Sequence, residues 1–138
     1  MVQKKILLLL ALLFLSGCNE KPVENITLQA VVQAFDSNTL PLTKSENADY
    51  FVLNGQSPEK YAVNGNPLYI YVFASEEDAK KGLEDFLNQT EKLNMVIPQI
   101  FAAKNVLIFY LSSETRTDSF SERDEKILSI VNSISVKE

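Results

Sequence analysis

The chain has no histidine, one cysteine and four glycines in 138 residues. Without histidine there is no imidazole base and no imidazole metal ligand. A single cysteine cannot close an internal disulfide, so the chain must fold on its apolar core alone. Four glycines, one of them Gly17, are too few to assemble a phosphate-cradling loop. Basic clusters are missing too. Beyond Lys4-Lys5 the one adjacent basic pair is Lys80-Lys81, and acidic neighbours surround it. Phosphate neutralisation, and with it nucleic-acid binding, is therefore excluded as an expectation. No linker, low-complexity tract or repeat divides the chain.

The N-terminus carries the strongest pattern. Lys4 and Lys5 precede an unbroken apolar run from Ile6 to Leu15, followed by Ser16, Gly17 and Cys18. That order of charged, apolar and small residues is what a translocation signal requires. The run falls well short of the roughly 20 residues that span a bilayer, and it lacks the polar face of an amphipathic core helix. Leu15-Ser16-Gly17-Cys18 resembles the lipobox of bacterial lipoprotein precursors. The resemblance implies that the Cys18 thiol is alkylated with diacylglycerol and that cleavage falls between Gly17 and Cys18. Residues 1–17 are then a cleaved signal peptide, 18–24 a lipidated cysteine with a short tether, and 25–138 one globular domain. The implied partner is membrane lipid, held through acylated Cys18, on the extracytoplasmic side. Asn19 does not match the aspartate that favours inner-membrane retention in two-membrane bacteria, so the outer face of a Gram-positive plasma membrane is the expected place. The stretch from Tyr61 to Ala79 is loosely similar to small lipoproteins of Bacillus-type bacteria, a resemblance that implies no catalytic residues.

Lys4 and Lys5 leave with the leader, so 11 of the 13 basic residues and all 18 acidic ones remain, a formal charge of −7. An acidic domain is repelled by anionic lipid rather than drawn flat onto it. The tether of about six residues reaches at most ~20 Å. It holds the domain near the headgroups, where its partners are to be sought.

Along the domain, Leu28, Val31, Val32 and Phe35 recur at helical spacing and predict a helix over about 25–36. Tyr50–Leu53, Tyr61–Val63 and Leu68–Ala74 predict three strands in a meander, the first two ending in Asn-Gly turn signals. Ser75 followed by three acids predicts a capped helix, with Ala79, Leu83, Phe86, Leu87 and Thr90 on one face. An extended stretch from Met95 to Ala102, a Lys104-Asn105 turn and a strand over 106–111 follow. A last helix, capped by Ser119 or Ser121, presents Ile127, Leu128, Val131 and Ile134. The expected fold is a single α+β domain with a mainly antiparallel sheet of four to five strands and three helices, in the order α-β-β-β-α-β-β-α.

Both strong strands are apolar on both faces, so both faces of the sheet need a cover. One arrangement places the last two helices on one face and the first helix on the other. The alternative leaves part of the Tyr69, Tyr71 and Phe73 face open as a ligand or partner surface. Catalytic patterns are weak. Lys44-Ser45 lies in a polar loop without a glycine-framed elbow, and the acids of 76–78, 84–85 and 118–125 match no calcium loop. No catalytic residue, metal or cofactor is expected. The function expected is a non-enzymatic binding or interaction module of the cell envelope. A small peptide or sugar receptor using the aromatic face, and a carboxylate-dependent hydrolase, are the alternatives. Oligomeric state is left open.

Overall fold

The computed structural model describes residues 23–46, 49–113 and 121–136. Helix α1 (Leu28–Ser37) is capped by Thr27, whose hydroxyl accepts from the Ala30 amide. Five strands follow in one antiparallel sheet: β1 (Thr43–Lys44), β2 (Glu59–Val63), β3 (Asn66–Val72), β4 (Gln99–Ala103) and β5 (Val106–Tyr110). Their spatial order is β1-β2-β3-β5-β4. Helix α2 (Glu76–Thr90) connects β3 to β4, and α3 (Glu122–Val136) closes the chain. The expected α+β class and element order are thus the observed ones.

Local chemistry explains most boundaries. Asn64 and Gly65 both take positive φ (50° and 82°) and form the two-residue loop of the β2–β3 hairpin. Ser75 caps α2 by accepting from the Asp78 amide, while the Asp78 carboxylate accepts from the Ser75 hydroxyl. Ser121, rather than Ser119 of the undescribed 114–120, caps α3. Its hydroxyl accepts from the Asp124 amide, and Asp124 accepts in return from the Ser121 amide.

Three expectations are corrected. Tyr50–Leu53 is not a strand; it is an irregular strap, and its Asn54-Gly55 turn closes a single bridge between Leu53 and Gln56. The first strand of the meander is instead the short polar pair Thr43–Lys44, because Tyr50, Phe51 and Leu53 of the strap are spent on covering the sheet while Val52 faces outward. Second, α1 and α3 share one face with Ile70, Ile108, Val63 and Phe101, whereas α2 alone lies on the other. The crossover from β3 to β4 forces that partition, since α1 and α3 pack on each other. Third, Leu87 and Leu128 are exposed, and Gly82 and Ile130 take the inward positions on their helices.

Candidate functional site

Cys18 and Gly17 lie outside the described residues. What the structure does place is the point where the N-terminal segment joins the domain. Asn105 is buried in the β4–β5 turn, and its side-chain oxygen accepts from the Ile26 amide at 2.7 Å. Its amide nitrogen donates to the Ile26 carbonyl at 3.0 Å and the Phe73 carbonyl at 2.9 Å. Asn25 adds a 2.7 Å bond to the Ala74 carbonyl. One asparagine side chain thereby treats Ile26 as a neighbouring strand would and satisfies three buried backbone groups. The chain before Asn25 consequently leaves from the end of the sheet formed by the C-terminus of β3 and the β4–β5 turn. Beside it a groove of ≈ 380 Å³ runs between α1 and the end of α3, bordered by Glu24, Gln33, Asn38, Lys104 and Ser133. Its lining combines one acid and one base with neutral amides and hydroxyls and with apolar Ile26, Ala30, Ala34 and Ile134.

Tyr69, Tyr71 and Phe73 come together on one sheet face, as alternation requires, but that face is closed. They are 6 %, 0 % and 4 % exposed, under α2 and the strap. Tyr50 stacks on Tyr69 with centroids 4.1 Å apart, and Phe51 meets Phe86 edge-on at 5.4 Å. Phe86 meets Phe109 at 4.7 Å. The strap is held by the Tyr71 hydroxyl donating to the Phe51 carbonyl (2.7 Å) and Gln89 donating to the Val52 carbonyl (3.0 Å). The Asn54 amide donates to Asp85 (2.8 Å). That bond holds the Asp85 carboxyl below its ordinary range. Burial pushes the Tyr50 phenol up to about 12, the nearby Tyr69 adding to the shift, and burial raises Tyr71 and Tyr69 as well. The Tyr50 hydroxyl is buried without a hydrogen-bond partner. This face is no open aromatic platform, which decides against the open-face alternative: the strap covers what the lone helix leaves bare.

Among the described residues the acids do not converge, and Asp118 lies outside them. Asp78 and Asp124 serve helix caps, Asp85 holds the strap, and Glu76 pairs with Lys80 at 3.1 Å on the surface. Among the described residues no group of three His, Cys, Asp or Glu is placed to hold a metal ion. A second groove, ≈ 390 Å³, is bordered by Thr39, Asn64, Glu122, Arg123 and Lys126, where Lys126 donates to the Thr39 hydroxyl.

What sequence reading missed is an apolar surface. Leu93, Val96 and Ile97, in the segment joining α2 to β4, are each more than half exposed, and Leu87 and Val52 are exposed on the same layer. Helix α2 starts beside Ala74 and spans roughly 22 Å at 1.5 Å per residue. The 91–98 segment must then deliver the chain to Gln99, which pairs with Tyr110 at the other end of the sheet. The apolar segment thus lies at the pole opposite the one from which the N-terminal segment leaves. The available signal was Val96-Ile97 next to Pro98, an apolar pair outside any periodic element. No family model matches this chain, and comparison with curated proteins and with solved structures returns no match.

Proposed function

We propose that this protein is an extracytoplasmic lipoprotein, anchored in the outer face of the plasma membrane through diacylglycerol on Cys18. Its domain then acts as a non-enzymatic interaction module of the cell envelope. The observation that carries the reading is Leu15-Ser16-Gly17-Cys18 directly after a basic pair and an apolar run. Two acyl chains, at about 0.8 kcal/mol per buried methylene, anchor firmly where one does not. Two structural features support the reading. The N-terminal segment is clamped at one pole by Asn105 and Asn25, a firm junction for a tether. The opposite pole displays Leu93, Val96 and Ile97, apolar surface turned away from that junction and suited to contact with another molecule. The receptor alternative finds less support, because a ligand on Tyr69 and Tyr71 would first have to displace the strap.

The test is Cys18→Ala in the producing cell. The unchanged protein should sediment with membranes, incorporate labelled fatty acid and run at the size of the processed form. The variant should take up no label and keep its leader. If Cys18→Ala stays in the membrane fraction with its leader processed as usual, the anchoring reading is wrong.

A further inference from the structure

The two edges of the sheet are protected very differently. At one edge β1 has two residues, and the backbone of Ser45, beyond it, still bonds to Lys60. Strand alternation then leaves Lys44 as its outward residue, charged and paired with Glu59 at 3.4 Å. A short, charged edge resists further pairing. At the other edge β4 has five residues and no charge.

The hydrogen-bond phase of β4 can be followed across the sheet. The Phe73 amide bonds to the Asn105 carbonyl, and the Leu111 amide to the Pro67 carbonyl. Residues 105, 107, 109 and 111 of the β5 region thus direct their backbone groups to β3, and 106, 108 and 110 direct theirs to β4. Through the register 99↔110, 101↔108 and 103↔106, the inward residues of β4 are Gln99, Phe101 and Ala103. Ile100 and Ala102 point their N–H and C=O groups out of the sheet, and among the described residues no strand pairs with them. Ala102 is exposed and Ile100 half-buried.

The surroundings select the occupant. From Leu93 to Ala103 there is no ionisable residue, while the chain as a whole is acidic, with a formal charge of −5. A two-fold axis sets each residue near its own counterpart, so a charge-free edge is where two acidic copies can meet without like-charge repulsion. An antiparallel pair of identical strands centred on Phe101 places Ile100 opposite Ala102 of the other copy, twice. All the outward amides and carbonyls of these two residues are then satisfied. The exposed Val96 and Ile97 flank the same edge.

We propose that β4 is a self-association edge, through which a second copy of this chain pairs antiparallel to make one continuous ten-stranded sheet. The pairing stands on the edge and its charge pattern alone, independent of any lipid anchor.

The test uses the full-length chain, purified in detergent from whichever cell fraction holds it. Ile100→Cys and Ala102→Cys chains, mixed and oxidised, should form a disulfide-linked dimer several-fold faster than either alone, since paired positions lie about 5.5 Å apart. The parent chain, oxidised in parallel, sets the background from Cys18. Ala102→Pro removes an amide that faces out of the sheet, so the fold stays intact by circular dichroism. Sedimentation should show self-association weakened by at least about tenfold. A monomeric parent chain, a dimer indifferent to Ala102→Pro, or a mixture that crosslinks no faster than the separate variants overturns the proposal. Should Ala102→Pro lose its fold, the mixed-cysteine result decides by itself.

Discussion

Ile108 and Phe109 are consecutive on β5, yet they belong to two differently built layers. Ile108 sinks among Val31, Ile70, Ile127, Ile130 and Val131, beneath two helices that pack on each other. Phe109 stands among Tyr69, Tyr71, Phe86 and Leu107, beneath one helix and an irregular strap. The arithmetic of coverage explains the contrast. Strands lie about 4.8 Å apart and a helix is about 10 Å wide, so one helix shields roughly two strands of the five. Two helices cover the aliphatic face with their own apolar stripes. The face under α2 needs additional cover, and Tyr50, Phe51 and Leu53 supply it with few residues because the Tyr50 and Phe51 rings each bury a large area. A layer closed by a strap is also the one that can be opened at a lower cost, since it is held by a handful of bonds rather than a ladder.

Truncation at the paired β5 positions tests that difference most strongly. Phe109→Ala should cost about 3–5 kcal/mol and Ile108→Ala about 2–5 kcal/mol in urea unfolding. Only Phe109→Ala should also expose Tyr50 and Tyr69 to fluorescence quenchers before global unfolding. Equal quenching in both variants would mean that the strap does not depend on the aromatic layer. Next in size is Gly82→Ala. A Cβ there would overlap Cζ of the buried Phe73 ring, which is itself stacked on Tyr71. Overpacking of about 1–3 kcal/mol should outweigh the gain of up to about 1 kcal/mol in helix propensity, leaving a net loss. A higher melting temperature would show that the ring yields freely.

The smallest expected effect is alkaline. The folded protein disfavours the Tyr50 phenolate, so its contribution is complete below the ordinary tyrosine value of 10.0. Above that the unfolded chain ionises first, and stability falls as pH rises toward about 12, where the folded phenol titrates. Tyr50→Phe removes this dependence together with a buried hydroxyl that has no partner. Thermal melts should show it neutral to slightly stabilising near pH 7 and less steeply destabilised above pH 10. An unchanged alkaline slope would assign the dependence to Tyr69 and Tyr71 instead.

Much of the fold was legible along the chain because its signals are local. Ser75 with its acids, Asn64-Gly65, and the alternation from Leu68 to Val72 each act within a few residues. Tyr50–Leu53 misled because a run of aromatic and β-branched residues satisfies strand propensity, whereas its actual bonds go to Tyr71 and Gln89, far along the chain. Leu87 and Leu128 misled because helical spacing defines a stripe but not its centre, which the neighbouring element selects. The candidate site was the least legible part. Asn105 carries no mark of its bonds to Ile26, 79 residues away, and the outward phase of Ile100 and Ala102 exists only once β5 has fixed the register.

By itself, the sequence determined the element types and order, the doubly apolar strands that demand two covering layers, and the residue order from Lys4 to Cys18 on which the proposed anchor rests. These follow from short-range chemistry: caps, turns, periodicity and the order of charged, apolar and small residues. Only the tertiary structure decided which helix covers which face, that Tyr69, Tyr71 and Phe73 are enclosed, and that β4 is an edge strand unpaired on its outer side among the described residues. Those outcomes depend on competition among distant segments for the same apolar surface, and a segment's own residues do not encode who wins it.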